Sequence, residues 1–226
     1  KANQVISNLN SVKAMYVPPG SGDESLSIGA CWALLDKLNI TTEERSNIVP
    51  LNNSYLGNDI NSVDIEDFLK HPAVKNNYIV VDGDPDNLAA DALANNEIVA
   101  VCRGKMEFGP RSLGHRSLLA NPSSKETVEK INSSIKGRDF WMPFAPSILA
   151  EEIDNCTVNN KKCDFSYMTF TVNTKEKIRK DFTATLHPYD YTMRAHSVDK
   201  NASPSYHRLI KTFFKKTGIP GVLNTS

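Results

Sequence analysis

Residues 98–117 read Ile98-Val99-Ala100-Val101-Cys102-Arg103-Gly104-Lys105-Met106-Glu107-Phe108-Gly109-Pro110-Arg111-Ser112-Leu113-Gly114-His115-Arg116-Ser117. The first five are apolar without alternation, the pattern of a strand covered on both faces. The next fourteen hold four Lys/Arg and one His against a single carboxylate, with three glycines that let backbone approach a ligand and Pro110 to stiffen the turn. Arg offers planar bidentate donors and Lys a mobile point charge, so the loop suits phosphate. A solvated basic loop would not need the glycines, or Phe108 and Leu113 as anchors. The Gly-Lys-Ser/Thr ending of a Walker loop is missing, which disfavours P-loop chemistry.

Working outward, Asp84-Pro85 predicts an N-cap with proline at the first helical position, and Leu88, Ala89, Ala92 and Leu93 the helix's inner face. Before it, Tyr78-Ile79-Val80-Val81 reads as a strand. After the basic loop, Ser123-x-x-Glu126 predicts a capping box for a helix burying Val128, Ile131 and Ile135. Phe165 to Val172 alternates as a strand does. Tyr206, Leu209, Ile210, Phe213 and Phe214 fall at helical spacing between Pro204 and Gly218, followed by a strand over 219–223. Alternating strands and helices predict an α/β or α+β fold. Nearer the start, Ala14 to Pro18 reads as a strand. A helix from Asp23-Glu24 carries Leu26, Ala30, Ala33, Leu34 and Leu38 on one face. The stretch from Thr41 to Asn77 reads as a polar connector with one helix, Val63 to His71, stopped by Pro72.

The 226 residues are 40% hydrophobic, which excludes long disorder, and no apolar run approaches the roughly 18 to 20 residues of a membrane span. No signal-peptide pattern is present, so a cytoplasmic setting is expected. Cys31, Cys102, Cys156 and Cys163 match no disulfide framework or zinc spacing and read as reduced, mostly buried thiols. Net charge is zero, yet residues 1–98 carry 6 Lys/Arg against 14 Asp/Glu (6 − 14 = −8), while residues 99–226 carry 20 against 12 (20 − 12 = +8). The basic part is where an anion should bind. One strand and one helix over 1–38 cannot bury their faces alone, so the chain reads as part of something longer.

Two further clusters stand out. Asn132 through Arg138, with Lys136 between, runs into Phe140-Trp141-Met142-Pro143-Phe144-Ala145-Pro146. A flat group could stack on Phe140 or Trp141, although aromatics between prolines equally suit a core or hinge. In Tyr189-Asp190-Tyr191-Thr192-Met193-Arg194-Ala195-His196, period two puts Asp190, Thr192, Arg194 and His196 on one strand face, which borders either a site or water.

These segments, with Thr217-Gly218-Ile219-Pro220 leading to Leu223-Asn224-Thr225-Ser226, resemble the C-terminal, YrdC-like part of the O-carbamoyltransferases that modify nodulation factors and antibiotics. Val17-Pro18-Pro19-Gly20-Ser21-Gly22-Asp23-Glu24-Ser25 resembles the end of that family's N-terminal, actin-like ATPase-fold domain. The resemblance implies a YrdC-like twisted sheet with flanking helices over 77–226, a connector over 39–76 and the end of the N-terminal domain over 1–38. It implies that the YrdC-like part makes carbamoyl adenylate from ATP and carbamoyl phosphate, and that the rest of the N-terminal domain passes the carbamoyl group to a small-molecule hydroxyl acceptor. Lys105, Arg111, Arg116 and Arg194 would be catalytic. Asn132, Lys136, Arg138, Thr192, Asn224 and Ser226 would bind nucleotide or carbamoyl phosphate, and Glu107 would orient an arginine. Asp23 matches a ligand of iron or another divalent metal, whose remaining ligands would lie in the missing N-terminal domain. Where relatives usually carry Arg-Pro-Phe-Ala-Pro this chain has Met142 first. It has Ser123 where they have the arginine of Asp-Pro-Arg, and Tyr189, Tyr191 and His196 where they have Val, Gly and Gln. The competing readings are an RNA-binding YrdC-like module and an enzyme similar to threonylcarbamoyl adenylate synthase. Cations gathered in Gly/Pro loops, not along one open face among aromatics, argue against nucleic acid.

Overall fold

The computed structural model describes residues 1–226 apart from Asn39, Pro50, Arg138, Phe140 and Trp141. The amino-terminal part is helical: α1 (Ala2–Asn8), a 3-10 turn (Asp23–Ser25) continuing into α2 (Leu26–Lys37), α3 (Thr42–Ser46), α4 (Ser62–Lys70) and α5 (Pro72–Asn77). There follow α6 (Pro85–Ala94), β1 (Val99–Cys102), β2 (Arg116–Ala120), α7 (Lys125–Ile131), β3 (Ala145–Leu149), α8 (Ile153–Cys156), β4 (Thr157–Val158), β5 (Val172–Thr174), β6 (Thr192–Met193), β7 (His196–Val198), α9 (Pro204–Thr217) and β8 (Gly221–Thr225). The strands form a five-stranded mixed sheet in the order β1-β2-β8-β3-β7 and a three-stranded antiparallel sheet β4-β5-β6. The class is the mixed α/β expected from the alternation.

Helix α9 organises the core. Pro204 supplies a preset φ at its first turn, and Gly218 closes it at φ 75, a left-handed conformation that a side chain would disfavour. Its stripe of Tyr206, Leu209, Ile210 and Phe213 is fully buried with Leu119, Ile148, Phe182 and Val222. Each such side chain contributes about 1.5–3 kcal/mol of burial. Helix α6, capped by Asp84 with Pro85 in its first turn, packs along α9 through Ala90 and Leu93. The last strand, β8, lies between β2 and β3, so Asn224 sits opposite both Leu119 and Ala145. That placement brings the end of the chain to the basic loop.

Several local expectations are corrected. Ala14 to Pro18 makes no strand, although Met15 and Val17 pack against the core. The apolar face of α2 is exposed, with Leu26, Leu34 and Leu38 each about half or more accessible, because no described element covers it. Pro72 opens α5 instead of only stopping α4, its ring fitting a first helical turn. Tyr78 to Val81 is extended but unpaired and exposed. β1 is an edge strand in which only alternate residues are half-buried, since β2 flanks it on one side alone. Helix α6 buries Ala90 and Leu93 while Leu88 is exposed. The cap of α7 is Ser124, one residue after Ser123, accepting from the Thr127 N–H, and Ile135 is exposed because the helix widens into a π-turn at Asn132–Lys136. Only Val172 of the stretch Phe165 to Val172 is in a strand. Residues 189–196 divide between the two sheets, with Thr192 in β6 and His196 in β7, so Asp190, Thr192, Arg194 and His196 share no strand face. All four cysteines are free thiols, but Cys31 and Cys102 are exposed. No described helix is long and apolar enough to cross a membrane.

Candidate functional site

The basic loop joining β1 to β2 is folded around the half-buried Glu107 and the buried His115. Glu107 accepts from the backbone N–H of Leu113 (2.6 Å), His115 (2.8 Å) and Arg116 (3.2 Å), so it holds the returning arm of the loop and not an arginine side chain. Burial raises its pKa, and those three N–H groups oppose the rise. His115 bonds the Lys105 carbonyl through Nδ1 (2.7 Å) and Ser203 Oγ through Nε2 (2.8 Å), while its ring stacks on Tyr55 at 3.9 Å. Burial, then the nearby Arg103 and Arg116, lowers its pKa despite the Lys105 carbonyl. The Arg116 guanidinium donates to the carbonyls of Arg103 (2.6 Å), His115 (3.0 Å) and Gly104 (3.3 Å) and so acts as a brace. The supposed connector also takes part: the carbonyls of Ser54 and Asn58 accept from Phe108 N (2.7 Å) and Met106 N (3.0 Å). Gly114, at φ 98, lies so close to Tyr206 that a Cβ there would overlap the ring.

Held in this way, the tip of the loop faces a small cleft. Pro110, Arg111 and Ser112 form one wall, Arg194 from the β6–β7 link another, and Asn224 with Ser226 from the end of β8 the floor. Asn224 is buried and fully engaged. Its Oδ1 accepts from Ser112 Oγ (2.8 Å), and its Nδ2 donates to the Ser112 carbonyl (3.0 Å) and to Ser147 Oγ (2.9 Å). Ser147 in turn shares a hydrogen bond with His196 Nδ1 at 2.9 Å, and burial pushes the His196 pKa down to about 3, so the ring is neutral. Two guanidinium groups over a floor held rigid by neutral hydrogen bonds can hold a small anion and stabilise charge that develops on it.

The carbamoyltransferase C-terminus family matches residues 90–226. The chain belongs to that family. The uncharacterized protein MJ1051 of Methanocaldococcus jannaschii is 37% identical over 216 residues, covering 94% of this chain and 39% of that protein. The nodulation protein NolNO of Sinorhizobium fredii is 30% identical over 221 residues, covering 94% of this chain and 31% of that protein. The 3'-hydroxymethylcephem-O-carbamoyltransferase of Amycolatopsis lactamdurans is 33% identical over 135 residues, covering 60% of this chain and 25% of that protein. The chain thus spans about two fifths or less of the length of these curated relatives.

Within this carbamoyltransferase C-terminus, the expected site residues divide into groups. Arg111, Arg194, Asn224 and Ser226 meet at one cleft. Lys105 is exposed on the same loop, with its carbonyl bound to His115. Thr192 donates to Asp190 (2.7 Å) and accepts from the Lys1 ammonium (2.9 Å), which also pairs with Asp190 and lowers that carboxyl's pKa. Asn132 lines a separate cleft, and Lys136 is half-buried at the end of the π-turn. Arg138, like Phe140 and Trp141, lies outside the described residues. Asp23 is exposed at the start of its 3-10 turn, and among the described residues no three His, Cys, Asp or Glu side chains stand together, so Asp23 does not by itself make a metal site. Sequence reasoning missed Ser147 and Tyr55. A serine inside the wholly buried strand Ala145–Leu149 is a readable signal, because a buried hydroxyl needs a partner. Tyr55, 60 positions from His115, carries no local signal.

Proposed function

We propose that this chain is the adenylate-forming part of an O-carbamoyltransferase, with residues 77–226 making carbamoyl adenylate and residues 1–38 belonging to the domain that transfers the carbamoyl group to a hydroxyl. The observation that supports this reading is the convergence of Arg111 and Arg194 over Asn224 and Ser226 in one cleft. Atom balance gives two steps. Water cleaves carbamoyl phosphate to carbamate and phosphate. A carbamate oxygen then attacks the α-phosphorus of ATP, the bond to the β-phosphate oxygen breaks, and pyrophosphate leaves. Arg111 and Arg194 offset the charge that gathers as two anions approach, and Asn224, locked by Ser112 and Ser147, keeps the floor beneath them fixed without reorganisation. In the transfer step the acceptor's hydroxyl oxygen attacks the carbamoyl carbon and AMP departs. The O-carbamoyltransferase in the name of the Amycolatopsis relative supports a hydroxyl acceptor.

Calorimetric titration with ATP and with carbamoyl phosphate tests the cleft. Arg111→Ala is expected to weaken binding of at least one of them by about 1.5–3 kcal/mol, the scale of a hydrogen bond to a charged group. Unchanged affinity for both would remove Arg111 from the site.

A further inference from the structure

Arg111, at the tip of the β1–β2 loop, makes no hydrogen bond or ion pair among the described residues, so its place at the cleft is set by the backbone on either side of it. Asn224 secures the adjoining Ser112, and the two arms of the loop are secured from residues 54–58, in the stretch that reads as a connector. On the outgoing arm, Phe108 N donates to the Ser54 carbonyl at 2.7 Å, Met106 N to the Asn58 carbonyl at 3.0 Å, and Gly57 N to the Met106 carbonyl at 3.0 Å. The approach is so close that a Cβ on Gly57 would stand 2.6 Å from that of Met106. On the returning arm, the Tyr55 hydroxyl donates to the Leu113 carbonyl at 2.9 Å, and Glu107 accepts from the N–H of the same residue at 2.6 Å, so the Leu113 backbone is gripped at both ends. The Tyr55 ring lies on His115 with centroids 3.9 Å apart and planes 17° apart. Burial raises the pKa of the Tyr55 hydroxyl, which keeps it a donor.

We propose that residues 54–58 form a strap that preorganises the loop for reaction, with Tyr55 as a positioning residue that fixes Arg111 through Leu113 and His115. The assignment rests on the adenylate-forming reading above and adds to it a group from outside residues 77–226. A guanidinium stabilises developing charge best when it is already in place as the charge appears, and an exposed loop tip needs outside support to stay in place. The strap gives that support at Phe108, before Arg111, and at Leu113, after it. Tyr55 also shares an apolar cluster with Leu113, Ala145, Tyr167 and Met168, of which Ala145 and Met168 line the Arg111 cleft. The strap is tied down in turn: Tyr55 N donates to Asn53 Oδ1 at 3.0 Å, and the Tyr167 hydroxyl donates to the Leu51 carbonyl at 3.3 Å.

A double-mutant cycle on pyrophosphate release by the full-length protein tests this. Tyr55→Leu should lower the rate on the order of tenfold, the scale of a reacting group slightly misplaced, without a matching rise in the KM for ATP. Tyr55→Phe, which keeps the ring and loses only the bond to Leu113, should fall between Tyr55→Leu and the wild type. In an Arg111→Ala background, Tyr55→Leu should cost no more than about twofold, because the group that it positions is gone. An equal loss in both backgrounds, or the wild-type rate in a folded Tyr55→Leu, overturns the assignment. Melting curves establish folding, and if Tyr55→Leu does not fold, Gly57→Ala, which pushes the strap off Met106, enters the cycle with the same expectations. Hydrogen exchange reads the strap without turnover: the Phe108 and Leu113 amides should exchange at least about tenfold faster in the variant while those of α9 keep their rates. Unchanged exchange at both amides also overturns the strap. A wild type that releases no pyrophosphate overturns the adenylate-forming reading, and the part of Tyr55 in that reaction with it, whatever exchange shows.

Discussion

Asn224 shows how the cleft is held at the scale of single residues. Its amide uses both ends on Ser112 and Ser147, and Ser147 passes the constraint to the buried, neutral ring of His196. This arrangement has a pH signature. The His196 pKa falls from 6.5 to about 3 on folding, chiefly by burial, so between those values the unfolded chain binds a proton that the folded chain refuses. Stability should therefore drop as pH falls from 6.5 toward 3, with His115, lowered in the same direction, adding to the loss. Glu107 runs the other way: its raised pKa gives stability that is complete below 4.5 and lost as pH rises through the folded value. Denaturant unfolding at pH 7 and pH 5 separates these groups. His196→Gln, which keeps an acceptor for Ser147 and binds no proton, should lose less stability at pH 5 than the wild type; an equal loss would assign the dependence to other residues. Arg111, Arg194 and Asn224, which meet at the cleft, stood out as candidates because cations in glycine-spaced loops and polar residues at strand ends are conspicuous in the chain. The alternative use of Arg116, on three backbone carbonyls, was not legible, because a guanidinium fits a carbonyl cluster as readily as a phosphate.

At the scale of elements, the β1–β2 loop owes its shape to contacts distant in sequence. Gly114 combines φ 98 with direct apposition to Tyr206 of α9, so Gly114→Ala should destabilise the fold by about 2–5 kcal/mol, the sum of left-handed strain and overpacking. Chemical denaturation checks this, and a change under about 1 kcal/mol would mean that α9 yields to the added methyl group. Ser124→Ala, which removes the cap of α7, should cost about 1 kcal/mol by the same measurement. Helix α9 was legible because proline, period and closing glycine agreed there, whereas α6 was legible in its cap and proline but not in its inner face, where Leu88 is exposed. Strands were less so. Tyr78 to Val81 has the composition of a strand, but pairing needs a neighbouring strand, and none is present among the described residues. Residues 189–196 have the period of one strand yet serve two sheets, a division that only the positions of β3 and β5 determine.

For the whole molecule, the charge division seen in the sequence coincides with the candidate cleft: Arg111 and Arg194 lie in the +8 part, and the family match, residues 90–226, covers all of that part. The acidic part is mostly short helices with exposed apolar side chains, apart from segments such as 54–58 that brace the loop. Fold class and family were legible because ordered motifs run through the whole basic part. The identity of the bound groups belongs to the proposal, and turnover tests it most directly. Pyrophosphate release from ATP should be measured in the full-length protein with and without carbamoyl phosphate, beside Arg111→Ala. The account predicts release that requires carbamoyl phosphate and falls by at least about tenfold in the variant, as loss of a charge-assisted contact implies. Release that needs bicarbonate and threonine instead, or that is unchanged in Arg111→Ala, would contradict it.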